Sequence, residues 1–230
     1  MAALSWDENG QRFFETGDKN VALYPIGTPA TTGGTPYVSG VAWNGITAIT
    51  ESPSGAEATD LWADDMKYAT LRSAEQFGGT IEAYTYPDEF AECDGSAEPS
   101  TGLKIGQQAR KMFGLAYITT LGNDEQGTDY GELLHLVYGC TCNPSERSYQ
   151  TINDSPDAIT FSWEFTTNPV AVGTIGGVAY KPTSSIVINS KKVNATKYAS
   201  FKKIVFGDTS VTPSLPLPAA VIAHFASNPQ

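Results

Sequence analysis

Two histidines, three cysteines and a scatter of carboxylates are the residues that could do chemistry in this sequence. His135 lies between Leu134 and Leu136, on one strand face with Leu133 and Val137. That setting fits a half-buried strand histidine better than a general base, which needs hydrogen-bond reach to a substrate proton. His224 falls within a short apolar helix pattern near residue 230. Cys140-Thr-Cys142 puts two sulfurs on one face of one strand, a single pleat repeat apart. Structural zinc takes four ligands from closely spaced pairs, and the remaining cysteine, Cys93, lies far upstream. The expectation is two core thiols packed as small hydrophobes. Residues 123–132 form an acidic stretch without the alternating Asp/Asn of an EF-hand, so a solvated hairpin tip is expected. Glu82, Asp88, Glu89 and Glu92 could supply an acid/base couple, although such clusters are ordinarily loop solvation. There is no Gly-x-Ser-x-Gly elbow and no Ser-x-x-Lys, and Gly173-Thr-Ile-Gly-Gly177 lacks the spacing of a phosphate-cradling loop. No catalytic residue, metal ligand or cofactor site is expected, and the chain is read as a non-enzyme.

Those residues must be positioned by a mainly β chain. From Ala158 to Thr166, Ile159, Phe161, Trp163 and Phe165 share one face, with Thr160, Ser162 and Glu164 on the other. That period-two alternation predicts a strand with one dry side. Lys111–Leu121 repeats it through Phe113, Leu115, Tyr117 and Thr119, and Glu132–Cys142 follows a polar loop, which predicts a long antiparallel hairpin. Further strands are expected at Val41–Ile49, Met66–Leu71, Thr80–Tyr86 and Ser184–Asn189. Asn194 can cap a helix lined by Tyr198, Phe201, Ile204 and Val205 and stopped by Gly207. A second short helix is expected from Pro218. Residues 25–40 and 88–106 are rich in turn formers and read as long loops. With 230 residues and 40% hydrophobic content, a single domain is expected over 1–230, with residues 1–40 as an N-terminal arm and loop and 41–230 as the β core.

The net charge of −11, from 25 acidic against 14 basic residues, disfavours nucleic acid and anionic membranes as binding partners. No basic patch with interleaved aromatics occurs, and no run reaches the roughly 18–20 apolar residues of a membrane span. The opening segment Met1–Glu8 is acidic and lacks an apolar h-region, so the chain is expected to remain in the cytoplasm where it is made. The sequons at Asn153 and Asn194 then carry no glycan.

Specific wording adds to this picture. The stretch Val41-Ala-Trp-Asn-Gly-Ile-Thr-Ala-Ile-Thr-Glu-Ser-Pro-Ser-Gly-Ala-Glu57 continues through Leu61-Trp-Ala-Asp-Asp-Met-Lys-Tyr68. It is followed by Gly79-Thr-Ile-Glu-Ala-Tyr-Thr-Tyr-Pro-Asp-Glu-Phe90, Cys93-Asp-Gly-Ser96, Ile105-Gly-Gln-Gln-Ala-Arg-Lys111, Tyr149-Gln-Thr-Ile-Asn-Asp-Ser-Pro-Asp157 and Leu215-Pro-Leu-Pro218. Together these resemble the major tail proteins, or tail tube subunits, of long-tailed bacteriophages. The opening forty residues and the stretch Asn168–Lys181 depart from that pattern.

The resemblance implies an antiparallel β-sandwich or barrel of the tail-tube type, with one packed helix, a short C-terminal helix, long loops and an N-terminal arm. It implies a virion protein that self-assembles into stacked, hexameric rings, a conduit for DNA made in the host cytoplasm. Expected partners are further copies of the chain and other tail proteins (tape measure, terminator, distal tail protein), with DNA only as passing cargo and no membrane. Trp6, Phe13, Phe14 and Tyr24 are candidate interface anchors on the arm Leu4–Tyr24, and Glu82 is a candidate for a negatively charged lumen. The arm and the loop Asp88–Gly106 are expected to be mobile until neighbours order them. The alternatives are a tube subunit of a contractile injection or secretion machine and a soluble β-sandwich binding module.

Overall fold

The computed structural model describes residues 4–29, 34–149, 151 and 158–226. Strands hold 46% of the chain and helices 13%, which places it in the mainly β class with antiparallel pairing, consistent with a β-sandwich. The first half carries β1 (Phe13–Pro25), β2 (Val41–Ala42), β3 (Ile46–Glu51), β4 (Ser54–Gly55), β5 (Ala58–Ala63), β6 (Met66–Arg72), β7 (Glu75–Gln76) and β8 (Gly78–Ala83). A 3₁₀ turn (Asp88–Phe90), the one-turn α1 (Ala91–Asp94), β9 (Ala97–Ser100) and β10 (Leu103–Ile105) follow. The second half adds β11 (Phe113–Asn123), β12 (Gly127–Cys142), β13 (Phe161–Thr167), β14 (Gly173–Ile175), β15 (Val178–Tyr180) and β16 (Ser185–Asn189). Helices α2 (Ala195–Phe206) and α3 (Pro218–Ala226) close the described chain.

One sheet organises the molecule, in the order β2-β1-β11-β12-β13-β8-β3, with β16 also paired to β12. β12 is long enough to pair β16 along Leu133–Val137 and β13 along Cys140–Cys142. Between the two partners stands Gly139, at φ +63°, where β12 holds one residue more than β11 between matched pairs. A bulge of this kind bends a strand and sharpens its twist. Beyond it, β13, β8 and β3 fold back over β1, β11 and β12. Trp43, Ile81, Phe90, Trp163 and Phe165 thereby meet Leu115, Tyr117, Val137 and Cys140 in a first core. Ring pairs fill that core at centroid distances of 4.5 Å (Trp43–Phe90), 5.2 Å (Phe90–Trp163) and 5.6 Å (Trp43–Trp163).

The opposite face of β1, β11 and β12 is dry as well. Ala22, Tyr24, Ala116, Ile118, Leu134, Leu136 and Tyr138 pack there against Tyr198, Phe201 and Val205 of α2 and Val221 of α3. The Tyr24 hydroxyl donates to Val205 O at 2.6 Å, the Tyr138 hydroxyl to Pro216 O at 2.9 Å, and the Gly139 N–H to the Tyr37 hydroxyl at 3.0 Å. Burying each ring satisfies its polar end, as low-dielectric interiors require. The helix forms as its sequence dictates. Asn194 Oδ1 accepts from the N–H groups of Thr196 and Lys197 at 3.0 and 3.2 Å, and Gly207 ends the helix at φ +79°. Asn194→Ala should lower stability by about 1 kcal/mol, read as a shift of the denaturant midpoint at unchanged slope.

Several expectations are corrected here. Phe13–Pro25 is not a separate arm: as β1 it pairs β11 along its length, and Val21–Tyr24 alternate between the two cores. Tyr24 is therefore fully buried and is a core residue, not an exposed interface anchor. Within 88–106, the first part is folded onto the core, with Phe90, Ala91 and Cys93 buried and Lys111 N donating to Glu92 O at 2.9 Å, while β9 and β10 pair as an exposed hairpin. The expected strand Val41–Ile49 splits into β2 and β3, since Trp43 turns into the core and Gly45 takes φ +78°. Ala158–Thr160 precede β13 without joining it, and the sequon Asn153 lies outside the described residues.

Candidate functional site

Each residue that could do chemistry has a defined setting. His135 is half-buried on β12, its ring stacked on Tyr117 at 4.6 Å and 5°. Its Nε2 lies 2.9 Å from Thr119 Oγ1, and its Nδ1 is 3.7 Å from Glu51 Oε1, to which the Tyr117 hydroxyl donates at 2.5 Å. Burial holds the imidazole pKa below its ordinary value of 6.5, against the opposing pull of Glu51 and Glu15. The unfolded chain therefore takes up this proton first, and stability is lost as pH falls from about 6.5 towards the lower folded-state value. His135→Phe, which keeps the stack, should flatten that part of the stability-versus-pH curve measured from pH 8 to pH 5.

Cys93, Cys140 and Cys142 are all buried in the first core. Burial pushes the Cys93 and Cys142 thiols up to about 12 and Cys140 well above its ordinary value, so all three stand protonated at neutral pH. A protonated, enclosed thiol is a packing group. Among the described residues no cluster of His, Cys, Asp and Glu is arranged to hold a metal ion. Asp88, Glu89 and Glu92 line one open cleft while Glu82 stands apart on β8, and two of the three are neutralised by lysines: Asp88 pairs with Lys104 at 3.1 Å and Glu92 with Lys111 at 2.5 Å. The β11–β12 tip is not merely solvated, because Asp124 accepts from Gly10 N at 3.0 Å and Asn123 Nδ2 donates to Gly10 O at 3.1 Å. His224 sits in α3 between the rings of Phe201 and Phe225.

The most distinctive feature of the surface lies in residues 52–77. β3 and β8 continue outward through the short pair β4–β7 into β5–β6, a two-stranded arm. Its tip is Asp64-Asp65, with φ of +50° and +60°, a type I′ turn made by two aspartates. The register places Leu61 opposite Ala69, Ala63 opposite Met66 and Thr59 opposite Leu71, so these residues share one face. The other face carries Asp60, paired to Lys67 at 2.7 Å and accepting from Thr70 Oγ1 at 2.8 Å. The face of Leu61 is uncovered, with Leu61 40% exposed, Met66 63% and Leu71 57%, and the arm also exposes Trp62, on the face of Asp60 and Lys67, at 69% and Tyr68, at the register shift, at 76%.

No family model matches the chain, and no curated protein matches it.

Other exposed apolar side chains surround the same fold. Trp6 and Phe13 stand out, Phe13 against Tyr130 at 5.2 Å, and Phe14 lies across Gly122 while remaining 44% exposed. The outer edge of β1 is paired only at Ala22–Leu23, which leaves Phe13–Asn20 without a second strand partner among the described residues. Outward on β3, β8 and β13 stand Ala48, Thr50, Thr80, Glu82, Ser162 and Glu164, small polar groups with two carboxylates and no base. Sequence reasoning missed the arm. A strand at Met66–Leu71 was legible, but its partner β5 ends in Asp-Asp where a hairpin ordinarily shows Asn-Gly or Asp-Gly.

Proposed function

We propose that this chain is a structural subunit that works by assembling with copies of itself, in the specific form of a phage tail tube. The observation that carries the proposal is the arm 52–77, whose apolar side chains nothing among the described residues covers. An isolated two-stranded hairpin is marginally stable in water. Holding Leu61, Trp62, Met66, Tyr68 and Leu71 in solvent costs stability with no return unless another surface closes over them. Open edges at β1 and β3 supply the second ingredient, since such edges pair with other chains unless protected. Copies joined side by side through those edges would continue one sheet around a ring. Trp6, Phe13 and Phe14 flank the β1 edge and would contribute to that contact.

The outward face of β3, β8 and β13 supports the conduit part of the proposal. Glu82 and Glu164 on a face without Lys or Arg would line a wall on which DNA finds no counterion-releasing partner. Screening over about 8 Å at physiological salt confines the effect to charges on that wall. Glu82→Lys with Glu164→Lys should slow DNA passage through assembled tubes, measured by ejection rate. Ejection indifferent to that reversal would remove the conduit part while leaving self-assembly standing. Negative-stain imaging of concentrated protein tests the assembly itself. Rings or tubes support it, and monodisperse monomers at every concentration overturn it in favour of a soluble binding module.

A further inference from the structure

We propose that Asn44 is a site of spontaneous covalent modification, in which its side-chain amide is lost to the Gly45 nitrogen and aspartate or isoaspartate is left in its place. The sequence holds two Asn-Gly pairs, Asn9-Gly10 and Asn44-Gly45. Glycine after asparagine favours this reaction, because no Cβ shields its backbone nitrogen from the preceding side chain. The fold treats the two pairs differently. The Gly10 N–H donates to both carboxylate oxygens of Asp124, at 3.0 and 3.2 Å, and Gly10 O accepts from Asn123 Nδ2 at 3.1 Å. Asn44 and Gly45 are both exposed, at the corner between β2 and β3. Among the described residues, neither the C=O nor the N–H of the peptide that joins them is hydrogen-bonded, and the Asn44 carboxamide has no partner. Its neighbours are held: Trp43 N donates to Val21 O at 2.9 Å, and Gly45 O accepts from Tyr84 N at 2.8 Å. The 44–45 peptide is thus a plane free to turn between two fixed points, the rotation that brings Gly45 N onto Asn44 Cγ.

In the first step the bond from Gly45 N to Asn44 Cγ forms and the Cγ–Nδ2 bond breaks. The proton of Gly45 N leaves with the amide group as ammonia, and a five-membered succinimide remains. One water then opens the ring. Attack at Cγ gives aspartate, and attack at the main-chain carbonyl carbon gives isoaspartate, whose backbone runs through the former side chain. Either product adds a carboxylate to a chain of net charge −11. Isoaspartate also inserts one methylene between the two fixed points, which strains the entry to β3 at its first pair, Ile46–Ala83. At Gly10 the same attack requires the N–H to leave the Asp124 carboxylate first. A hydrogen bond to a charged group is among the stronger ones, and losing it slows the step by about tenfold to a hundredfold.

Peptide mapping by mass spectrometry, after incubation of the whole chain at mildly alkaline pH, tests the proposal. Each native rate is divided by the rate of the same residue in the chain unfolded in guanidinium chloride, which removes the influence of flanking residues. The ratio for Asn44 should exceed that for Asn9 by about tenfold to a hundredfold. That comparison needs no variant and does not depend on self-assembly. Asp124→Ala should then raise the Asn9 ratio by the same factor and leave Asn44 unchanged, while Asn44→Gln should remove the modification at that position. Equal ratios for the two asparagines, or an Asn44 untouched over the time in which the unfolded chain is converted, overturn the proposal. So does a folded Asp124→Ala chain in which Asn9 stays slow, since the hydrogen bond would then not be what separates the two pairs.

Discussion

Leu61→Glu with Leu71→Glu should abolish assembly while leaving the fold of the dilute subunit intact. Both side chains lie on the uncovered face of the arm, at 40% and 57% exposure, and touch no core. Fully burying a leucine contributes about 1.5–3 kcal/mol, so completing the burial of two would stabilise each contact by roughly 3 kcal/mol, and a buried carboxylate would reverse the sign. Each 1.4 kcal/mol is tenfold in affinity, which puts the loss at about a hundredfold or more per contact. In sedimentation velocity the variant should run as a monomer where the unmodified chain forms larger species. Its thermal midpoint must be compared at dilution, because assembly itself stabilises the folded chain by mass action.

Gly139→Ala should be the most destabilising alanine substitution among the described glycines. At φ +63° a side chain is strained, and a Cβ there would stand 2.2 Å from Asn168 O. The obstacle is backbone, held by the Asn168 N–H donating to Gly139 O at 2.9 Å, so it cannot swing aside. Strain in the left-handed region and overpacking each cost about 1–3 kcal/mol, and the expected loss is roughly 3–5 kcal/mol. The position also sets which face each neighbour takes. Val137 and Cys140 share the first core only because the extra residue resets the alternation between them. Urea unfolding of the dilute variant would show the loss. A midpoint within 1 kcal/mol of the unmodified chain would mean that the bend does not depend on glycine.

What was legible in the sequence was whatever a single period or cap determines. The alternation around Trp163 and Phe165 predicted β13, and Asn194 with Gly207 bounded α2 to the residue. His135, Cys140 and Cys142 fell where an apolar strand context puts them. What escaped depends on partners distant in sequence. β1 carries bulges around Gly17 and Asn20, so Phe13–Tyr24 shows no clean alternation and looked like an arm with aromatic anchors. β11 and β12 were read as strands with one dry face, but α2 and α3 cover the second, and only the assembled fold reveals that. β5 mixes polar and apolar residues on both sides, Ala58, Asp60 and Trp62 on one and Thr59, Leu61 and Ala63 on the other. Its exposure was not readable from composition.

Hydrogen exchange over residues 54–76, compared between dilute and concentrated protein, tests the central claim most directly. The arm's amides are held only by a two-stranded ladder in the free subunit, and such pairs open with little free energy. The account predicts fast exchange in the dilute chain and strong protection once copies associate, while β11 and β12 remain protected throughout. Equal exchange of the arm at both concentrations would contradict it, because no neighbour would then have covered the apolar face.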